Sequence, residues 1–504
     1  MKSCDYSHAC LNPIVVIGAG IGGLTAAALL AKRGYRVLVF DQAFVAGGCA
    51  STFKRRGFTF DVGATQVAGL EPGGIHHRIF SELETEIPAA TPIDPACSVY
   101  LPQESQPINV WRQQQQWQAE RQKQFPGSEP FWKLIQTLFA ASLDFQGRDP
   151  VLPPRNWWDL WQLLQAIRPK TLVTFPFTFL SVADALRGYG IDSDRRLKTF
   201  LDMQLKLYSQ VDSEETALLY AATALGLSQE PYGLYHLHGS MQVLSDRLVA
   251  ALKRYGGQLY MRHTAERIHL NKKQAAAVTV RNQKTGETNR IDAQHIVANV
   301  TVQNLVKLLG EQAPAGYRRR IDKLPTASGA FVVYLGVTQE AIPPGCPSHL
   351  QFLDDYEGKV AENNSLFVSV SHEGDGRAPT GKATITASSF TDIRRWRNCS
   401  DYRQEKQRYA EDAIARLRRY FHLNEETILH VEAATPRTFG RFTAREDGMV
   451  GGIGQRVSTF GPLGLATRTP IPHLWLVGDS THPGEGTAGV SYSALTAVRQ
   501  IEQC

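Results

Sequence analysis

The stretch NPIVVIGAGIGGLTAAALLAKRGYRVLVFDQ, residues 12–42, decides the fold of the chain. An apolar, β-branched run at residues 14–17 is typical of a strand buried on both faces, and it leads directly into a glycine-rich loop. A helix-forming stretch follows at residues 24–33, and a second apolar run at residues 37–40 ends on Asp41. A strand, a glycine loop, a helix, a strand and an acid in this order predict the dinucleotide-binding unit of a Rossmann-like domain.

The glycines of this loop each have a physical role. Gly18 permits the tight turn, Gly20 lets a pyrophosphate approach the backbone, and Gly23 lets the helix pack closely on the strand. With Gly22 they open the N-terminus of the helix, whose free N–H groups suit phosphates. Asp41 is placed to accept hydrogen bonds from both hydroxyls of an adenosine ribose, which predicts a dinucleotide without a 2′-phosphate.

Two further stretches bear on which dinucleotide binds. Residues 45–69, VAGGCASTFKRRGFTFDVGATQVAG, carry a second glycine pair, Gly47 and Gly48, which nicotinamide dehydrogenases usually lack. Residues 474–498, LWLVGDSTHPGEGTAGVSYSALTAV, run from an apolar strand through Gly478 and Asp479 into a helix-forming stretch. Such a strand, turn and helix bring backbone against a ligand, although an ordinary structural corner has the same pattern.

These stretches, together with TPRTFGRFTAREDG at residues 435–448, resemble the FAD-dependent family of carotenoid desaturases and carotenoid isomerases over nearly the whole chain. The resemblance is strongest at the two ends and most marked to the cyanobacterial carotenoid C-3′,4′ desaturases. It implies FAD as the cofactor. It also implies an α/β (α+β) fold, in which a Rossmann-like FAD-binding domain of the glutathione-reductase/amine-oxidase type carries an inserted substrate domain with a mixed or antiparallel sheet and helices.

The domains are predicted to be discontinuous along the chain. Residues 12–105, 232–302 and 432–504 are expected to form the FAD-binding domain. Residues 106–231 and 303–431 are expected to form a substrate and membrane-associating domain.

The resemblance implies that the two ends of the chain meet at the flavin. Gly478 and Asp479 would lie beside it, with the Asp479 carboxylate on a ribityl hydroxyl. The helix starting around Gly489, Val490 and Ser491 would direct its N-terminal N–H groups at the isoalloxazine, where a helix dipole stabilises a reduced, anionic flavin.

Three more cofactor contacts follow from the resemblance. Gly48 precedes Cys49, where many relatives carry Arg, so Cys49 is either a small tolerated residue or a residue with a redox or covalent-flavin role. Ala265, in the segment TAERI, is expected to contact adenine through its backbone. Because Cys49 stands where those relatives carry Arg, neutralisation of the phosphates would fall to backbone N–H groups, with or without Lys54, Arg55 or Arg56.

A tryptophan-rich segment predicts how an apolar substrate reaches the protein. Trp157, Trp158 and Trp161 share a helix with leucines, and Arg168 and Lys170 follow, as in helices that lie in a membrane interface. A hydrophobic core helix has the same composition, but the resemblance favours a membrane-surface patch. No stretch there reaches the ~18 apolar residues of a spanning helix, so the expected location is peripheral, on the cytoplasmic side of a membrane.

Composition excludes several other classes of function. The net charge of +6 comes without a long basic run, so no nucleic-acid partner is expected. The seven cysteines lack CxxC pairs or histidines at metal-ligand spacing, so no metal site is expected. The chain before Asn12 lacks a long apolar core, so it is not expected to be a signal peptide.

The resemblance implies a carotenoid desaturase, with a C=C bond at C-3′,4′ expected to form by hydride transfer to FAD in carotenoid biosynthesis. Glu485 is the candidate catalytic acid or base, with a structural loop acid as the alternative. No second GxGxxG follows a strand, so a quinone or oxygen is the expected electron acceptor. A carotenoid cis-trans isomerase that uses reduced FAD is the second hypothesis, and a prenyl-binding escort protein without flavin is the third.

Overall fold

A five-stranded parallel sheet contains the predicted dinucleotide-binding unit in the computed structural model, which describes residues 12–503. In chain order the strands are β1 Ile14–Ile17, β2 Val37–Asp41, β3 Thr52–Arg55, β4 Phe58–Asp61, β5 Val67–Ala68, β6 Ala90–Pro92, β7 Cys97–Tyr100, β8 Ile108–Val110, β9 Leu234–Leu237, β10 Gln258–Met261, β11 His263–Asn271, β12 Gln274–Asn282, β13 Thr288–Asp292, β14 His295–Ala298, β15 Gly329–Thr338, β16 His349–Leu353, β17 Ser365–Val370, β18 Lys382–Thr391, β19 Ile428–Ala434 and β20 Leu474–Leu476. The helices are α1 Ile21–Lys32, α2 Ile75–Glu82, α3 Gln114–Gln124, α4 Glu129–Gln146, α5 Trp157–Ala166, α6 Pro169–Leu172, α7 Val182–Gly188, α8 Arg195–Ser209, α9 Leu218–Gly226, α10 Gln242–Arg254, α11 Val302–Leu309, α12 Ala315–Asp322, α13 Ile393–Arg397, α14 Tyr402–Leu417, α15 Pro436–Thr443 and α16 Thr487–Ile501.

The first strand is buried on both faces, as its β-branched sequence predicts. Ile14 and Val16 pack into a core with α1, α10 and α16, whereas Val15 and Ile17 pack into a second core with β12 and α11. Because side chains alternate across a strand, β1 joins two hydrophobic layers. The strand order is β10-β2-β1-β14-β20, and all four pairings are parallel.

A seven-stranded mixed sheet forms the second large unit. Its order is β19-β15-β18-β17-β16-β7-β8, in which only β16 and β7 pair in parallel among the described strands. One core packs this sheet against α14, and another contains residues of β7 and β8 and of helices α3, α4, α7, α8 and α9. The Rossmann-like sheet and the mixed sheet confirm the predicted fold class.

The predicted domain limits agree only in part with the strand pairing. The parallel sheet takes β1 and β2, β10 and β14, and β20 from the three predicted segments of the first domain. However, β7 precedes residue 105 and yet pairs Ser98 with Leu350 of the mixed sheet, and β19 crosses the limit at residue 432. The division into two domains stays a prediction. The predicted lack of a signal peptide concerns residues 1–11, which lie outside the described residues.

Candidate cofactor and active site

A long cleft opens at the carboxyl ends of β1, β2, β14 and β20, where ligands bind in open α/β sheets. It brings together residues from both ends of the chain. Of the residues predicted to bind the cofactor or act on the substrate, those that line the cleft are Gly18, Gly20, Gly22, Asp41, Gly48, Cys49, Ala265, Gly478, Asp479, Glu485 and Val490.

The glycine loop is packed against a side chain that the sequence reading did not single out, Asn299. Gly18 has φ +98°, and a Cβ there would lie 2.5 Å from the Asn299 carbonyl oxygen. A Cβ on Gly20 would lie 2.8 Å from Asn299 Nδ2, and one on Gly22 2.9 Å from Asn299 Oδ1. A Cβ on Gly478 would meet the same oxygen at 3.0 Å. Asn299, directly after β14, therefore joins the N-terminal and C-terminal glycines, and larger residues would close the cleft.

Asp41 supports the glycine loop as well as lining the cleft. Its Oδ2 accepts a hydrogen bond from the Ala19 N–H at 2.6 Å, and its Oδ1 accepts one from the Ala43 N–H at 2.7 Å. Burial raises the pKa of Asp41, and the two N–H groups oppose that shift. A carboxylate has about four acceptor positions, so two remain for hydroxyls of a bound ligand. Ala265, in β11, lines the cleft with Asp41.

The second glycine pair packs directly on the first. The Gly47 N–H donates to the Ala19 carbonyl at 2.8 Å, and a Cβ on Gly48 would lie 3.4 Å from the Gly20 Cα. Cys49 follows as a free cysteine, and burial raises the pKa of its thiol although the Arg445 guanidinium opposes this. The thiol is thus held protonated, which favours the interpretation of Cys49 as a small, unreactive residue that lines the cleft.

Arg445 supplies positive charge to the lining of this cleft, and the sequence of its segment, residues 435–448, predicts no role for it. It forms an ion pair with Asp479 at 2.8 Å, and both side chains are largely buried. Its Nε also donates to the Met449 carbonyl at 2.8 Å. Lys54, Arg55 and Arg56 do not line the cleft: all three are exposed, and Arg55 pairs instead with Glu432.

Glu485 lies in the loop between β20 and α16. Its Oε2 accepts a hydrogen bond from Gln210 Nε2 at 2.8 Å, while its buried Oε1 has no hydrogen-bond partner among residues 12–503. Burial raises the pKa of Glu485 to about 8, with Asp479 adding to the shift and Gln210, Arg445 and the Gly452 N–H opposing it. A carboxyl group that titrates near neutrality in a cleft can give or take a proton.

Three predicted cofactor residues lie outside the cleft lining. Gly23 packs against the Gly18 carbonyl, and a Cβ on Gly489 would lie 2.6 Å from the Gly484 carbonyl oxygen, so both act through close backbone packing. Ser491 is buried on the far side of α16, where its Oγ lies 3.2 Å from His76 Nε2 and 3.5 Å from Thr25 Oγ1. The helix begins at Thr487, two residues before the predicted start, which directs Ser491 away from the cleft.

The tryptophan-rich segment exposes apolar side chains. Trp157 is 85% exposed, whereas Trp158 is turned inward beneath the Arg499 guanidinium. We call the following residues the apolar patch: Trp157, Trp161, Leu164, Leu172, Val173, Phe175 and Phe179. Arg155, Arg168 and Lys170 are exposed in the same segment. Within residues 12–503, no helix combines the length and apolar composition required to cross a bilayer.

Known proteins share this chain's organisation. The family of NAD(P)-binding Rossmann-like domains matches residues 16–83. A prolycopene isomerase from an Oncidium hybrid cultivar is 27% identical over 97% of this chain and 83% of its own length. A 4,4′-diapophytoene desaturase from Staphylococcus aureus is 23% identical over 97% and 98%. Over almost its whole length the chain is therefore similar to the carotenoid desaturases and isomerases of the phytoene desaturase-like family.

The similarity to these relatives supports an enzyme of the oxidoreductase type. Among solved structures, a cyclohexylamine oxidase from Brevibacterium oxydans superposes with a TM-score of 0.60 at 17% identity, covering 97% of this chain and 99% of that one. This likeness concerns the fold, which is of the amine-oxidase type. Desaturases and isomerases are both represented among the relatives.

Proposed function

We propose that the protein is an FAD-dependent carotenoid desaturase of carotenoid biosynthesis, with the C-3′,4′ bond as the expected position. The single observation that carries this proposal is the cleft itself, where Gly18, Gly20 and Asp41 from one end of the chain meet Gly478 and Asp479 from the other. A nicotinamide cofactor alone would leave the C-terminal half of this cleft without a role. The match to a Rossmann-like family model covers residues 16–83, in which the first glycine loop and its acid are common to both cofactors.

The residues of the cleft suit FAD along its length. Asp41 would bind the adenosine ribose, and the backbone at Gly18 and Gly20 would approach the pyrophosphate. Asp479 would accept from a ribityl hydroxyl, and the N-terminus of α16 would face the isoalloxazine. Bound FAD would supply a two-electron acceptor for hydride. Glu485 would hold or release the accompanying proton.

Removal of the Asp41 carboxylate should weaken FAD binding. Asp41→Ala loses hydrogen bonds to a charged group, about 1.5–3 kcal/mol, or about 10- to 150-fold in Kd. Asp479→Ala should have a similar effect at the other end, and Asp292→Ala on the exposed strand β13 serves as the control. Fluorescence titration of FAD measures the affinity. Unchanged affinity in both cleft variants would refute the two-ended cofactor site.

A membrane surface is the proposed source of the substrate. A carotenoid has few polar groups, so it would partition into lipid and reach the protein through the apolar patch. Arg155, two residues before Trp157 in the chain, interacts electrostatically with Arg320 of α12. Aromatic side chains with flanking cations suit an interface that contains anionic headgroups.

The patch is tested by replacing its two exposed tryptophans. Trp157→Ser/Trp161→Ser should lower partitioning into lipid vesicles by about 100-fold or more, since each tryptophan would bury roughly 2 kcal/mol of apolar surface. High salt alone should leave much of the parent protein bound, because the attachment is mainly apolar. Val431→Ser, at an exposed apolar site outside the patch, is the matched control. A parent protein that stays wholly in the aqueous phase would remove the membrane from the proposal.

The reaction is tested anaerobically with carotenoid in vesicles. A desaturase should bleach the oxidised flavin and release product lighter by two hydrogens, and an added quinone should restore both colour and turnover. Expression in cells that accumulate defined carotenoids then gives the substrate and the bond position. Product that forms without any loss of hydrogen would exclude a desaturase.

A second candidate is a carotenoid cis-trans isomerase. It is favoured by the prolycopene isomerases among the relatives, which are 26–27% identical to this chain. Such an enzyme would need the flavin reduced beforehand and would return product of unchanged mass. The mass of the product and its dependence on an acceptor or a reductant therefore separate the two reactions.

A further inference from the structure

Gln210 reaches the cleft wall from the second large unit of the protein. It follows the last residue of α8 and has a left-handed backbone with φ +69°. Its buried side chain donates through Nε2 to Glu485 Oε2 at 2.8 Å. The end of α8 is thereby tied to the loop that joins β20 to α16.

Gly451 allows this contact to form. Its backbone has φ +66°, and a Cβ there would overlap both Gln210 Nε2 and Glu485 Oε2. Any other residue would push the amide away from the carboxyl group, so the close approach of the two side chains depends on glycine at this position.

The hydrogen bond determines which oxygen of Glu485 can carry a proton. An amide Nε2 can only donate, so Glu485 Oε2 must act as the acceptor in this pair. The acidic proton then belongs on Oε1, which is buried and has no hydrogen-bond partner in the described part of the chain. Glu485 lines the cofactor cleft, so the protonated oxygen is the one left for a bound molecule.

Among the groups around Glu485, it is the proton of Glu485 itself that can exchange near neutral pH. Arg445 and Asp479 form a closed ion pair whose opposite charges largely compensate. His482 is neutral, since burial lowers its pKa to about 4, and burial raises the pKa of Tyr220 well above its ordinary value. His482 and Tyr220 therefore hold fixed protonation states near neutral pH.

We infer that Gln210 is a positioning residue that holds Glu485 so that its Oε1 exchanges a proton with the polyene. The inference rests on the proposed desaturation. There, one C–H bond breaks and its electron pair enters the new C=C bond as the adjacent carbon loses hydride to the oxidised cofactor. The proton forms an O–H bond at Oε1 of the ionised carboxylate.

The test is an infrared titration of the purified protein without carotenoid, read as the difference from Glu485→Gln. The parent should show a carboxylic acid band that disappears with a midpoint near pH 8. In Gln210→Met the midpoint should rise by about one pH unit, because a hydrogen bond that favours the charged form is lost. Gln204→Met, a buried glutamine on the same helix that bonds to Gln351, should leave the midpoint in place.

An unchanged midpoint in Gln210→Met, or no titrating band that is lost in Glu485→Gln, would overturn the inference. The pH profile of carotenoid turnover should move by the same amount as the midpoint. If the infrared midpoint moves but no desaturated product forms, the positioning role stands and the proposed function fails. The two failures are therefore distinguishable.

Discussion

Replacing Glu485 by Gln is expected to lower carotenoid turnover by a factor of about 10²–10⁴, the usual contribution of a positioned acid or base. The amide fills the same volume and still accepts a hydrogen bond from Gln210, but it cannot take up a proton from carbon. Turnover per bound flavin, measured beside Gln204→Met, checks this. Intact turnover with normal flavin content would leave Glu485 as a structural loop acid.

The pH dependence of turnover should also reveal the direction of proton transfer. A general base must be ionised, so desaturation should rise with pH up to the Glu485 pKa of about 8. A general acid must be protonated, so an isomerisation that starts by proton donation should fall above the same pH. In Glu485→Gln, neither the rise nor the fall of turnover around pH 8 should be present.

Stability gives an independent signature of the same carboxyl group. The folded-state pKa of Glu485 lies near 8, above the ordinary value of 4.5, so the folded protein binds more protons than the unfolded chain between these values. The contribution of Glu485 to stability is therefore present at low pH and is lost as pH rises through this window. The free energy of unfolding of Glu485→Gln, measured over the same pH range, should not show this decline.

Local patterns in the sequence were enough to predict the first half of the site. The run Ile14–Ile17 forms the predicted strand and the glycine loop follows it directly, while Asp41 ends the next strand and accepts a hydrogen bond from the Ala19 N–H of the loop. Asn299, Arg445 and Gln210 could not be found in this way. They approach the cleft only after distant segments fold together, and none of them lies in a spacing that indicates a ligand.

On both helices, α16 and α5, the prediction of which residue faces the cleft or the solvent depends more on a shift of one position than on where the helix begins. Successive residues on an α-helix are rotated by about 100°, so Val490 can face the cleft while Ser491 is buried against α1 and α2. The same rotation exposes Trp157 and turns Trp158 inward. Composition predicted both helices, but it did not specify which of two adjacent residues faces outward.

Arg377→Met is expected to cost about 3–5 kcal/mol of unfolding free energy, because it leaves a buried carboxylate without its cation. Arg377 donates from Nε and Nη2 to Asp61 Oδ2 at 3.1 and 3.0 Å, and the side chains are only 4% and 5% exposed. Its Nη1 also donates to the Leu237 carbonyl at 2.8 Å. The Met241 N–H donates to Asp61 Oδ1 at 2.8 Å, which leaves that oxygen paired in the variant.

Chemical unfolding of the purified protein measures the loss, with Arg394→Met as the control. Arg394 pairs with Asp392 on the surface, where its side chain is 71% exposed, so its removal should have little effect. Arg377→Met/Asp61→Leu should recover part of the stability, since it removes one of the two buried carboxylates that pair with Arg377, while Asp375 keeps its contact with His236. If Arg377→Met lowers the free energy of unfolding no more than Arg394→Met does, the Arg377–Asp61 ion pair does not stabilise the fold. The expected result would give Asp61, in the stretch of residues 45–69, a role that its sequence context alone does not indicate. Asp61 would connect the end of β4 to the loop between β17 and β18, outside the lining of the cofactor cleft.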